Sequence, residues 1–272
     1  MKSLDKMLYS VSDNIAILTI NRPERRNALD AETLEQINVL MDRAENDEKV
    51  RVILINGKGD TFSSGFDLKD QMEKDPRGEQ WKPILELDYQ TIMRFWNSPK
   101  PTIAAVKGAC LAGAFELSLA CDFTICSRDS FFGEPELKFG AGIVTMVLPW
   151  VIGMKAAKKI ILLGQDNITS STALELGIVS EVTTNDRLLK RSMQVAKHIS
   201  VIDPNLVKKT KKAINQSFEI AGLHQALEKS LEIDYQIESK GSPDKKKFME
   251  IARKEGMRKA IKFRDSRFSI DE

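Results

Sequence analysis

Four short runs of β-branched and apolar residues constrain the fold of this chain more than any other feature. They are IAILTINRP (Ile15 to Pro23), RVILING (Arg51 to Gly57), TIAAVKG (Thr102 to Gly108) and DFTICSR (Asp122 to Arg128). The first runs into a proline turn signal, and all four read as strands. Helical patterns lie between them. Asp30 to Glu45 carries Leu34, Ile37, Val39, Leu40 and Met41, with Asp30 placed as N-cap and Thr33 and Glu35 in the first turn. Leu85 to Trp96 is a second amphipathic helix, stopped by NSPKP. Strands alternating with helices predict an α/β core containing parallel sheet. From about Asp186 the pattern becomes helical and charge-rich, with turn signals at Asp203 to Asn205 and Lys240 to Asp244. The apolar stripes of that region must cover either the core or another subunit.

The 272 residues, 42% hydrophobic and 29% charged, suffice for one large domain or two small ones. A net charge of +2 points to neither a nucleic-acid binder nor a membrane-surface protein. In VKKTKKAINQ, lysines 208, 209, 211 and 212 spread around a helix and read as a solvated face, against the alternative of an RNA site. Cys110, Cys121 and Cys126 sit in or beside apolar runs without paired spacing, so they read as reduced core residues. The N-terminal stretch has neither signal-peptide nor transit-peptide character, and no span reaches transmembrane length. The expectation is a cytoplasmic protein.

Much chemistry is excluded by what is missing. The two histidines, His198 and His224, both fall in the helical C-terminal part, which argues against Ser-His or Cys-His catalysis and against a His-rich metal site. No metal is expected. GKGDTFSSG and GAG are glycine-rich but lack the third glycine and helix context of a dinucleotide fingerprint. Carboxylates and backbone amides remain.

KGACLAGAFELSLACDF (Lys107 to Phe123) places one glutamate, Glu116, inside a run of small and apolar residues. Burying a carboxylate is costly, so its presence calls for a role. The run reads as a turn and then a short buried helix from Gly113, whose first-turn N–H has no partner within the helix and sits at the positive end of the dipole. Residues three apart share a face and lean toward the N-terminus, which puts Glu116 near the Gly113 amide. An anion-stabilising donor beside a general base suits proton transfer next to a carbonyl. A glutamate paired to a buried basic side chain is the other reading of that spacing. GDTFSSGFDL (Gly59 to Leu68) offers a second amide through Ser63, Ser64 and Gly65, or serves as a plain connection. In FFGEPELKFG, Glu134 and Glu136 flank Pro135 and share a face only if the segment is extended; otherwise they are surface carboxylates.

Taken together, ILTINRPERRNAL, FSSGFDL, AAVKGACLAGAFELSLACDF, FGEPEL and LLGQDNITSSTALELGIVSEV, in that order from Ile17 to Val182, resemble the crotonase family, also called the enoyl-CoA hydratase/isomerase family. The resemblance implies an α/β, crotonase-like spiral of repeated ββα units over residues 1–200, carrying the catalytic and CoA site. It implies a helical C-terminal region over 201–272 that builds a homotrimer or hexamer. The substrate would be an acyl-CoA thioester, with coenzyme A entering as part of it and no further cofactor. Carried over by position, the amides of Ser63 and Gly113 would form the oxyanion hole. Arg25 and Arg26 would meet the CoA phosphates and ribose, and Ala28, Thr61, Ser63, Ser64, Gly65, Phe66, Asp67, Leu68 and Gly113 would line the CoA path. Glu116 matches the first hydratase glutamate and Glu136 the second. The pair implies water addition to a trans-2-enoyl-CoA, with Glu116 as base and Glu136 as acid; a Δ3-Δ2 isomerase using Glu136 alone is the alternative.

Two departures from the family pattern stand out. LKFGAGIVTMVLPWVIG (Leu137 to Gly153) is shorter than the usual loop after the second glutamate and lacks its double glycine, so the resemblance leaves the acyl group open. In EGMRKAIKFRDSRF, Ala260 and Phe263 replace the usual aromatic and lysine, which leaves a contact to a neighbouring subunit's CoA open as well.

Overall fold

The computed structural model describes residues 4–268. The chain begins with β1 (Met7–Ser12), β2 (Ile15–Ile20), α1 (Ala31–Asn46), β3 (Val52–Gly57), α2 (Leu68–Lys74) and α3 (Trp81–Asn97). Next come β4 (Thr102–Val106), β5 (Ala109–Leu111), α4 (Gly113–Ala120), β6 (Phe123–Ser127), β7 (Phe131–Gly133) and α5 (Glu136–Phe139). They are followed by α6 (Leu148–Ile152), α7 (Met154–Leu162), β8 (Ile168–Thr169), α8 (Ser170–Glu175) and β9 (Glu181–Thr183). The remainder is helical: α9 (Leu188–Ser200), α10 (Pro204–Ile220), α11 (Leu223–Lys240), α12 (Pro243–Glu255) and α13 (Met257–Ser266).

All four expected strands are present, with ends shifted by up to three residues, and so are the two expected helices, the second beginning four residues earlier, at Trp81. Asp30 caps α1 as its spacing requires, its carboxylate accepting the Thr33 N–H at 2.8 Å. The strands missed in the sequence are short or polar, such as β1 with its exposed residues and the two-residue β8.

The strands form two sheets, one ordered β1-β2-β3-β4-β6-β9 and one ordered β5-β7-β8. In the larger sheet only β1 runs antiparallel to its neighbour. Parallel strands bury both faces, which is why RVILING reads as a continuous apolar run. Ile53 and Ile55 join the main core, while Val52 and Leu54 turn to the opposite face against Leu188 and Ala196 of α9. Each turn of the chain sends one strand to each sheet and then a helix: β4, β5, α4, then β6, β7, α5. These are the expected ββα repeats.

The C-terminal helices fold back onto their own chain. Leu223 and Leu227 of α11 belong to the main core, and Phe248, Met249 and Ala252 of α12 with Ala260 of α13 pack against Phe139 of α5. The described part of this C-terminal region, through residue 268, therefore covers the core, whatever else it contacts. Lys211 corrects the reading of VKKTKKAINQ as a uniformly solvated face: it is buried, with Nζ 2.8 Å from Asp122 and donating to the carbonyls of Phe95 and Lys100. The three cysteines are buried and free. No helix among the described residues is long and apolar enough to cross a membrane.

One buried ion cluster ties the start of the chain to the loop that faces the site. Arg22 lies 3.0 Å from Asp30 and 2.9 Å from Asp67, and also donates to the Ala28 carbonyl. Both aspartates are buried helix caps, Asp30 for α1 and Asp67 for α2. Removing Arg22 leaves Asp67 buried without a cation and takes one of two from Asp30, which keeps Lys6 at 2.7 Å, so Arg22→Ala is expected to destabilise the chain by ~3–5 kcal/mol. Urea denaturation at neutral pH measures this; a loss below ~1 kcal/mol would mean that the cluster is solvated.

Candidate active site

The turn between β5 and α4 holds a strained residue. Ala112 sits at φ 58° and ψ −138°, outside the regions an alanine ordinarily occupies, which costs on the order of 1–3 kcal/mol. The kink is held by the Ala112 N–H donating to the Gly133 carbonyl at 2.9 Å and by the Ala112 carbonyl accepting from Phe115 and Glu116. It leaves the Gly113 N–H at the helix start with no acceptor among the described residues. A Cβ on Gly113 would fall 2.4 Å from the Phe66 ring, so glycine is required here by space.

The second donor is not the expected one. Ser63 pairs with the strand beside it: its N–H donates to the Ala109 carbonyl at 3.1 Å, and its carbonyl accepts from Leu111. That amide is committed, which removes Ser63 from the oxyanion hole. Three residues on, Phe66 forms a parallel bridge with Leu29 in which the flanking groups make the bonds, Leu29 N–H to Gly65 O at 2.9 Å and Asp67 N–H to Leu29 O at 3.0 Å. In such a bridge the central residue's own N–H points to the other side. Phe66 therefore presents a free amide on the side away from Leu29, with its ring against Gly113. The two free donors beside each other are Phe66 and Gly113.

Three carboxyl groups meet next to this turn. Glu116, Glu134 and Glu136 each place an oxygen within 4.8 Å of the others, and all three are buried. The segment is not the extended stretch that a shared face would need. β7 ends at Gly133, Pro135 caps α5 and Glu136 opens it, yet the bend still brings Glu134 and Glu136 oxygens within 4.8 Å of each other. A hydrogen bond across that gap needs a proton on one of them. Glu116 has no basic partner; its Oε2 accepts the Thr145 N–H at 2.6 Å and its Oε1 has none. The paired-to-a-base reading of Glu116 is thereby excluded.

Burial and mutual charge govern protonation here. Burial first, and then the neighbouring Glu136 charge, push the Glu116 carboxyl far above the usual range. Glu134 is displaced upward for the same reasons. Burial also raises Glu136, to about 7, while the hydrogen bond from Glu134 and the Arg264 guanidinium pull it back. The trio holds fewer charges than carboxyls. Three carboxylate oxygens at this spacing also match a hard divalent cation, although no histidine, cysteine or aspartate joins the set among the described residues.

A cavity of about 570 Å³ leads to Glu136. Arg25, Arg26, Ala28, Ser64, Phe66, Asp67 and Leu68 line it as expected. Thr61, Ser63, Gly65 and Gly113 do not: the Thr61 carbonyl accepts from Asn27 at 2.6 Å behind the wall, and Ala112 lines the cavity where Gly113 was expected. Asp67 reaches the wall with its carboxylate already engaged by Arg22 and the α2 amides. Arg25, Arg26 and Arg258 form no ion pair among the described residues and stand at the cavity as free cations. Met257, Arg258, Ile261 and Arg264 come from α13 of the same chain, so the tail reaches its own cavity.

Sequence reasoning missed Asp88, Asp234, Glu238 and Lys245 on the inner wall. A signal was present: Asp88 stands in the stripe Leu85, Asp88, Ile92, Phe95, and Asp234 and Glu238 continue the stripe of Leu223 and Leu227.

The sequence profile of the enoyl-CoA hydratase/isomerase family matches residues 10–257. The short-chain-enoyl-CoA hydratase of Clostridium acetobutylicum is 32% identical over 222 residues, covering 79% of this chain and 83% of that one. The mevalonyl-coenzyme A hydratase of Aspergillus fumigatus is 33% identical over 219 residues, covering 78% and 79%. Among solved structures, an enoyl-CoA hydratase/isomerase from Xanthobacter autotrophicus Py2 superposes with a TM-score of 0.97 at 56% identity, covering 97% of this chain and 99% of that one. With its ββα spiral, its kinked helix start and its buried glutamates, the chain belongs to the enoyl-CoA hydratase/isomerase family.

Proposed function

We propose that the chain is an enoyl-CoA hydratase that adds water, syn, across the 2,3 double bond of a trans-2-enoyl-CoA. The observation that carries this reading is the approach of the Glu116 and Glu136 carboxyls beside two unused amides. The thioester oxygen accepts from the Phe66 and Gly113 N–H groups, which hold the negative charge of the enolate. The reactive arrangement of the pair's one proton leaves Glu116 ionised, which the Thr145 amide favours although burial raises Glu116 further than Glu136; Glu116 then takes a proton from water as the water oxygen attacks the β-carbon. Protonated Glu136 gives its proton to the α-carbon, and the two glutamates then exchange protonation states before the next turnover. Glu134 stays bonded to Glu136 and positions it. Arg25, Arg26 and Arg258 supply positive charge for the CoA phosphates. Coenzyme A is part of the substrate, and the chemistry uses no other cofactor.

A second reading has one observation in its favour: Glu136 lines the cavity and Glu116 stands behind it, as a Δ3-Δ2 isomerase with a single proton carrier would have it. Homotrimers or hexamers are part of the proposal, supported by exposed apolar residues on and before α10, among them Val201, Leu206, Ile214 and Ile220.

With crotonyl-CoA, the enoyl absorbance is expected to fall under the wild-type chain. Glu116→Gln and Glu136→Gln are each expected to slow this by ~10²- to 10⁴-fold while CoA affinity holds. Near-normal isomerisation of a 3-enoyl-CoA by Glu116→Gln, with no hydration by the wild type, would favour the isomerase.

The pH dependence follows from the cluster. The rate is expected to rise with pH as the Glu116–Glu136 pair loses its first proton and to fall as it loses the second, because turnover needs one proton on the pair, placed on Glu136. Glu134 donates to the Glu136 anion and so lowers its pKa. Glu134→Ala removes that donor, and the alkaline limb of kcat/KM is expected to move to higher pH, whereas Glu134→Gln, which keeps a donor, leaves it in place.

Charge in the trio is managed by protons, so dialysis against EDTA is expected to leave turnover unchanged. A loss restored by Mg²⁺ or Mn²⁺ would place a cation among the glutamates.

A further inference from the structure

The inner wall of the cavity is wrong for a plain hydrocarbon. α3 and α11 pack against each other, and each carries an acid on the stripe that its periodicity reserves for apolar side chains: Asp88 on one, Asp234 on the other. Asp234 is 2% exposed, and neither of its carboxyl oxygens has a hydrogen-bond partner. Asp88 is 4% exposed and forms no side-chain hydrogen bond among the described residues. Both line the cavity together with Phe66, Leu85 and Val144.

Their neighbour Glu238 shows what satisfaction looks like here. It pairs with Lys245 and accepts the Gly142 N–H at 3.1 Å, and Lys245 in turn lies 4.3 Å from the centre of the Trp81 ring. Lys245 is thus engaged, leaving Asp88 and Asp234 without a partner. The backbone makes room for this: a Cβ on residue 142 would fall 1.8 Å from Asp234 Oδ1, so only glycine there admits the carboxyl.

An unpartnered buried polar group costs about 1–3 kcal/mol, and this wall of the cavity carries two such carboxyls, Asp88 and Asp234. A hydrocarbon acyl chain would leave that cost in place, and an isosteric leucine would remove it. A ligand donor would convert it into binding energy. We propose that Asp88 and Asp234 form a polar subsite for a hydrogen-bond-donating substituent, hydroxyl or ammonium, on the acyl group of the substrate. This rests on the enoyl-CoA reading and narrows it to short acyl groups with a polar end. Asp88 and Asp234 line the same cavity as Glu136, which puts the subsite in the space that the proposed acyl group would enter.

The test compares three ligands of equal length: trans-hex-2-enoyl-CoA, trans-5-hydroxypent-2-enoyl-CoA and trans-5-aminopent-2-enoyl-CoA. Calorimetry on the full chain carrying Glu116→Gln keeps them from being hydrated. At least one polar ligand is expected to bind ~10-fold or more tightly than the hexenoyl compound, since a hydrogen bond to a charged or otherwise orphaned partner is worth at least about 1.4 kcal/mol. Asp234→Leu and Asp88→Leu are each expected to reduce that preference at least several-fold and to leave hexenoyl binding equal or tighter. Asp234→Asn, the conservative variant, separates the two donors: a hydroxyl preference survives it and an ammonium preference does not. Equal binding of all three ligands, or a preference that survives both leucine variants, overturns the subsite and leaves the enoyl-CoA reading standing. Binding of none of them overturns both.

Discussion

The site depends on carboxyl groups held together in a medium that cannot ionise them all. Glu116, Glu134 and Glu136 meet within 4.8 Å, and their elements bring no cation into the cluster. In water three such groups would repel and drift apart. Here Glu116 is pinned by the Thr145 amide and Glu134 and Glu136 by the rigid Pro135 turn, so the protein relieves the repulsion by keeping protons. A carboxyl that keeps its proton near neutral pH can donate it, and a neighbour that has lost one can accept.

The oxyanion side of the site is set by two strand pairings. Ser63 bonds to the β5 region, and three residues later Phe66 bridges Leu29. The chain between them must switch partners, which it does through Gly65 at φ 88°, packed so close to Ala112 that a side chain would collide. That switch is what frees the Phe66 amide. The Arg22 cluster fixes the same loop from the far side by holding Asp67, so α2 begins where Phe66 needs it to.

How much of this was readable depended on whether the signal was local. The unused amide of Gly113 followed from spacing alone, because a helix start leaves its first amides without acceptors in the helix. Ser63 failed for the opposite reason: which of several adjacent amides is free depends on a partner strand far away in sequence, and no local pattern tells position 63 from position 66. Glu134 was visible as a residue but not as a neighbour of Glu116, since the bend at Pro135 rather than strand geometry brings it in. Asp88 and Asp234 were visible as interruptions of apolar stripes. Their meaning needed the packing of α3 on α11, separated by more than half the chain.

By itself, the sequence determined the alternation of strands and helices, the parallel character of the sheet, the start of α4 at Gly113 and the two glutamates, Glu116 and Glu136, proposed for catalysis. All of these are recorded in periodicity, turn chemistry and ordered motifs, which act over a few residues. The tertiary structure alone decided which amides remain free, which carboxyls meet and which acids line the cavity. Hydrogen-bond competition and desolvation are properties of neighbours in space, and the chain acquires those neighbours only on folding.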